Sequence, residues 1–121
     1  MDFHNKKAIY LQIADFVCEQ ILLKKWAGKI PSVRELAVSL EVNPNTVVKT
    51  YFFLEERNII VLRRGIGYFL TGHARASVID FKKHEFMTED LPEILKAMDL
   101  LNISLEDFKQ LYNERGDHEK K

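Results

Sequence analysis

Pro31-Ser32-Val33-Arg34-Glu35-Leu36-Ala37-Val38-Ser39-Leu40-Glu41-Val42-Asn43-Pro44-Asn45-Thr46-Val47 is the stretch on which the fold turns. Ser32 and Glu35 stand at capping-box spacing, so the Ser32 hydroxyl can accept from the Glu35 amide while the Glu35 carboxylate accepts from the Ser32 amide. This predicts a helix over 33–40 that buries Val33, Leu36, Ala37 and Leu40. Two turns are too few to stand alone, so that helix needs a partner. Asn43-Pro44 opens it: asparagine is a favoured N-cap, and proline is tolerated at the first helical position, where an amide would be unpaired anyway. The partner is expected over 44–57, with Val47, Tyr51 and Leu54 on one stripe, Val48 and Phe52 as a second apolar pair, and Asn58 as its stop. Only Glu41, Val42 and Asn43 join the two helices, so they must cross steeply, and Ala37 is small enough to let the backbones approach.

Upstream, Ile9, Tyr10, Ile13, Phe16, Val17, Ile21 and Leu22 recur in steps of three and four. They predict an amphipathic helix over 9–25, with Lys24 and Lys25 at the end where the helix dipole favours cations. Trp26-Ala27-Gly28-Lys29 follows as a loop. Downstream, Ile59-Ile60-Val61-Leu62 and Tyr68-Phe69-Leu70 flank Arg63-Arg64-Gly65-Ile66-Gly67, a β-hairpin across 59–70 with a basic tip. After Ala74 the pattern turns helical again, weakly to about Met87 and then clearly through Leu91, Ile94, Leu95, Met98 and Leu101. Ser104-Leu105-Glu106-Asp107 resembles a second cap, opening a last helix with Leu105, Phe108, Leu111 and Tyr112. A charged tail begins at Gly116. Helix, short helix, tight turn, longer helix and hairpin make a winged helix-turn-helix. The expected fold class is mainly α with a small β-hairpin: a DNA-binding winged helix over 1–72, then a helical dimerisation segment over 73–121.

The chain has 121 residues, 46% hydrophobic and 30% charged, the balance of a folded soluble protein. Its 18 basic and 18 acidic residues cancel. They are not evenly spread: ten basic and seven acidic residues up to His73 leave +3, whereas eight and eleven from Ala74 onward leave −3. The sign change suggests one part that faces anions and another that does not. No apolar run approaches the ~20 residues of a membrane span, and no apolar core follows the first lysines as in a secretory signal. A cytoplasmic protein without a membrane partner is expected. The single cysteine, Cys18, rules out an internal disulfide and reads as a small buried hydrophobe. His4, His73, His84 and His118 are scattered without ligand spacing, so neither metal nor cofactor is expected. No nucleophile stands near a base, and the adjacent Glu55 and Glu56 point apart on their helix; the chain does not read as an enzyme. Tyr51 and Phe69 read as core.

The chemistry that remains is that of a nucleic-acid surface. Asn43, Asn45 and Thr46 stand at the start of the third helix, whose first amides also favour anions. Asparagine can pair with adenine N6 and N7 in a bidentate way. Lys49 follows one turn later, and Arg63 and Arg64 lie beside a glycine turn able to approach a groove closely. Asn43 is accounted for equally well as an N-cap alone. The apolar stripes after Leu91 exceed what two short helices can hide, so Leu91, Ile94, Leu95, Met98, Leu101, Leu105, Phe108, Leu111 and Tyr112 are expected to form a dimer seam.

Pro31–Ala37, Val42–Val47, Tyr51, Leu54-Glu55 and Arg63–Phe69 together resemble the DNA-binding domain of GntR-family bacterial regulators, over about Ile9 to Leu70. Val-Asn-Pro-Asn-Thr-Val and the short helical C-terminal part resemble the YtrA subfamily. Two departures stand out: the loop before Pro31 is short and lacks a proline, and Ile66 occupies a wing position often basic in relatives. The resemblance implies a homodimer on double-stranded DNA with a twofold operator, usually as a repressor. Carried over by position, it implies backbone or base contact by Arg34. Asn43, Asn45, Thr46 and Lys49 would face the major groove, and Arg64 with Gly65 would enter the minor groove. No motif specifies a small-molecule effector. The alternative function is a winged-helix protein–protein interaction module without sequence-specific DNA binding, which Val48 and Phe52 keep open.

Overall fold

The computed structural model describes residues 7–119, with side chains to Arg115; His4 and the side chain of His118 lie outside the described residues. The chain forms two compact units that divide between Lys83 and His84.

In the first unit, α1 (Ile9–Leu22), α2 (Val33–Leu40) and α3 (Pro44–Glu56) precede a hairpin of β1 (Ile60–Arg63) and β2 (Gly67–Leu70), and α4 (Ala74–Glu85), which lies in this unit as far as Lys83, follows. The helix starts are set locally. The Ser32 amide donates to Glu35 Oε1 at 2.8 Å and the Glu35 amide to Ser32 Oγ at 3.1 Å. The bond from the Ser32 amide first, and then a side-chain hydrogen bond between the Ser32 hydroxyl and the carboxylate, hold the Glu35 carboxyl below its usual range. Asn43 Oδ1 accepts from the Asn45 amide at 2.7 Å, with Pro44 in the first turn.

The helix ends share one device. Lys24, Glu41 and Asn58 adopt positive φ near 60°. The next amide in each case reaches back across the last turn, Lys25 to Gln20 O, Val42 to Ala37 O and Ile59 to Leu54 O. These are Schellman closures built without glycine. They end α1 at Leu22, short of the expected Lys25, because Lys24 in the left-handed region cannot continue the helix.

Ile13, Val17 and Ile21 of α1, Leu36 and Ala37 of α2, Val47, Tyr51 and Leu54 of α3, and Ile59 and Ile60 form the core. Ala74 and Val78 of α4 are buried in it as well. The compact unit therefore extends past Gly72, where the sequence reading drew the boundary. β1 and β2 are antiparallel, Ile60 opposite Leu70 and Arg63 opposite Gly67. The segment expected as a plain loop adds to the hairpin: the Leu70 amide donates to Gly28 O at 2.8 Å and the Ile30 amide to Tyr68 O at 3.0 Å. Strand alternation sends Tyr68 and Leu70 to the core. Phe69, expected inside, lies on the opposite face with the Arg63 guanidinium 4.4 Å from its ring.

In the second unit, the π-helical turn Phe86–Asp90 runs directly into α5 (Leu91–Leu100), and α6 (Leu105–Glu119) follows. The widened turn falls where the Pro92 ring would otherwise meet the Thr88 carbonyl. Asn102, at positive φ, ends α5 as Ile103 donates to Met98 O. Ser104 and Asp107 exchange backbone and side-chain bonds at 3.1 and 3.0 Å, the expected second cap. α6 continues through Gly116, where the sequence reading began a tail. No helix among the described residues is long and apolar enough to cross a membrane.

Two polar anchors hold the first unit. The Tyr51 hydroxyl, fully buried, donates to Pro31 O at 2.7 Å. Asp15 accepts from Lys7 at 2.9 Å and from Lys82 of α4 at 2.7 Å. Burial raises the Asp15 pKa, but the hydrogen bonds and charges of Lys82 and Lys7 outweigh it and hold the carboxyl below its ordinary value. Replacing Tyr51 with phenylalanine leaves the Pro31 carbonyl without this donor and should cost about 1–2 kcal/mol in urea unfolding. Because its folded pKa is depressed, Asp15 stabilises the fold above the ordinary carboxylate value and loses that contribution as pH falls through the folded value. The destabilisation by Asp15→Asn should thus be full near neutral pH and shrink as pH drops below about 4. A difference that stays constant down to full protonation in a pH series of unfolding curves would exclude this linkage.

Candidate nucleic-acid interface

α3 divides lengthwise into a packed and an open side. Val47, Thr50, Tyr51 and Leu54 are buried, while Asn45, Val48, Lys49 and Phe52 are exposed. The 3.6-residue period turns these two sets to opposite sides of the helix. Burial of the first set is what holds the second set out.

Thr50 is the one buried polar residue among those described. Its hydroxyl lies 2.8 Å from Tyr10 O and 3.1 Å from Thr46 O, so it ties the middle of α3 to the first turn of α1. Tyr10 in turn lies beneath Lys49, whose Nζ is 4.3 Å from the ring centroid, a cation–π arrangement. Its ring edge also meets Phe53 at 6.0 Å. Asn43, Asn45, Thr46 and Lys49 line one open groove, with Ile9 and Tyr10 of α1 as its other wall.

Four of the residues expected to meet DNA are thus brought together. Arg34, exposed in the first turn of α2, and the hairpin residues Arg63, Arg64 and Gly65 lie outside that groove. Ile9, Tyr10 and Thr50 are the residues that sequence reasoning missed here. Periodicity placed the first two on the apolar stripe of α1. Thr50 gave one weak signal, a polar residue between Val47 and Leu54 on a stripe otherwise apolar.

The hairpin tip is a tight turn in which the Ile66 amide donates to Arg63 O at 2.9 Å. Gly65 has φ +77° there, a conformation that side chains resist. Gly67 carries a second constraint: a Cβ on it would lie 3.0 Å from Lys29 Cε, so the Lys29 stem crosses its open face. Arg64 and Ile66 are left exposed on the turn.

Tyr51 sits under this surface with its ring edge-on to Tyr68 of β2, centroids 4.8 Å apart. Burial first, and then Tyr68 and Glu35 nearby, push its hydroxyl far above the ordinary tyrosine value, so it remains a proton donor to Pro31. Cys18 is buried in α1. Among the described residues no three His, Cys, Asp or Glu side chains are grouped to hold a metal ion.

No protein-family model matches the chain. It is similar to the uncharacterised HTH-type transcriptional regulator YhcF of Bacillus subtilis, with 37% identity over 107 residues, 87% of each chain. It is also similar to the HTH-type transcriptional repressor YtrA of the same organism, 33% identical over 88% of this chain and 82% of that one. Among solved structures, a putative GntR-family transcriptional regulator from Bacteroides thetaiotaomicron superposes with a TM-score of 0.77 at 36% identity, covering 93% of this chain and 100% of that one. These likenesses span both the winged helix and the helices after it, and with them the chain belongs to the GntR family of winged-helix transcriptional regulators, on its YtrA-like branch.

Proposed function

We propose that the chain is a sequence-specific DNA-binding repressor that acts as a homodimer on a twofold operator. The observation that carries this reading is the open side of α3: its polar first turn and Lys49 face solvent while the opposite side is locked into the core. A recognition helix needs that division, because its first residues meet base edges while the rest of the domain stays rigid. Asn45 reads a base edge, and Asn43, Thr46 and Lys49 contact bases or phosphates beside it. Arg34 holds the backbone from the start of α2. In the wing, Arg63, Arg64 and Gly65 follow the minor groove. Repression is supported by the name of the YtrA relative, a transcriptional repressor.

Dimerisation is supported by the apolar residues of α5 and α6. None of Leu91, Ile94, Leu95, Met98, Leu101, Leu105, Phe108, Leu111 and Tyr112 is buried within the single chain, and Leu101, Leu105, Leu111 and Tyr112 are each more than 60% exposed. Leu100, outside the expected seam, is exposed too. Apolar surface on this scale marks an interface, and a second copy meets it symmetrically.

Selection of bound sites from random duplex DNA at stated salt tests the reading directly. A twofold sequence with fixed half-site spacing is expected; recovery of no preferred sequence would favour the interaction-module alternative. On that site, Arg34→Ala and Arg64→Ala should weaken binding and reduce the salt slope by ~1 for each phosphate that is no longer neutralised. Asn45→Ala should cost about 1–3 kcal/mol on the selected site and relax preference at one position.

The seam is best tested without shortening the chain, since removal of everything after Gly72 would strip Ala74 and Val78 from the core. Leu95→Glu combined with Met98→Glu should give a folded monomer with much weaker operator affinity. Sedimentation equilibrium that still returns a dimer of unchanged affinity would place the seam on other residues.

A further inference from the structure

Two exposed residues of α3 contribute little to the fold. Val48 is 51% exposed and Phe52 60% exposed, and neither belongs to the core or packs against it. Neither is a strong helix former, so propensity does not explain them on an open helical face. Their position is specific. Val48 is three residues and Phe52 seven residues beyond Asn45, which puts all three on one stripe with Lys49 beside them. That stripe rises about 10 Å from Asn45 to Phe52, roughly three base-pair steps.

We propose that Val48, with Phe52 one turn behind it, reads a thymine in the operator by packing against its 5-methyl group. This rests on the DNA-binding reading above and adds to it the class of base that the open side of α3 selects. In the major groove the thymine methyl is the apolar group that distinguishes one base pair from another, and apolar side chains are its natural partners. The flanking polar groups favour DNA over a protein as the occupant. Asn45 and Lys49, next to each other along the same open face, match base edges and phosphates. The two apolar side chains beside them also make a patch far smaller than the several hundred Å² that protein interfaces use.

The test replaces thymines of the selected operator one at a time with uracil, which removes the 5-methyl and leaves base pairing intact. Wild-type protein should lose about fourfold in affinity at one or more positions, the factor that burial of one methyl-sized group corresponds to. Val48→Ala should lose about the same factor on the thymine duplex and be insensitive to uracil at that position. Since Val48 is exposed, its thermal unfolding should be unchanged. If uracil is silent at every position, or if every penalty persists in Val48→Ala, the assignment is overturned and the strip is left to a protein partner. If wild-type protein selects no sequence at all, the DNA-binding reading fails first and this inference fails with it.

Discussion

Tyr51 is the residue through which the winged helix holds together. From the buried side of α3 its hydroxyl reaches the carbonyl of Pro31, just before α2, and its ring meets Tyr68 of the wing edge-on. Three segments that present the candidate DNA contacts are therefore referenced to one side chain. A phenolic group suits the place because it combines a large apolar body with one polar tip, and burial is tolerated only when that tip has a partner. Thr50, one position earlier, does the same on a smaller scale for the first turn of α1.

The two units solve the burial problem differently. The first has enough elements to enclose a core from four helices and the hairpin, and it tolerates strain at its helix ends, where Lys24, Glu41 and Asn58 take a conformation that glycine would adopt freely. The strained turn at Glu41 is the one that sets α3 across α2. The second unit has two helices and the turn before them, and no side chain described in it is fully buried. Two short helices offer each other only one face, so their remaining apolar surface stays open. That open apolar surface is what supports the proposed association with a second copy.

How far the structure was legible in the sequence depended on how far apart the interacting residues were. Both caps, Ser32 with Glu35 and Ser104 with Asp107, lie three residues apart, and Asn43 caps the amide two residues on; all formed as their spacing implied. The bounds of α2 were read to the residue, and the hairpin followed from its glycines and β-branched flanks. The misjudged points depended on backbone closures or on partners distant in the chain. Lys24 ends α1 early through a backbone closure that no side-chain pattern announces. Lys29 pairs with Phe69 across forty positions, far too short a contact to leave an alternating signature. Phe69 was expected inside, but the register of β2 sends Tyr68 there instead. Val78 joins α4 to the core of the winged helix, which its weak local pattern did not reveal.

By itself, then, the sequence determined the order and kind of the elements, the start of each capped helix and the polar character of the third helix's first turn. These depend on bonds between residues within a few positions of one another, where spacing alone specifies the partner. Only the tertiary structure fixed how completely each apolar residue of the third helix is enclosed or left outside. Val48 and Phe52 are as apolar as Val47 and Tyr51, yet the first pair faces solvent and the second is fully buried. Which stripe turns inward is settled by the packing of α1, α2 and the wing against α3, a sum of contacts between residues distant in the chain, and no local pattern contains that sum.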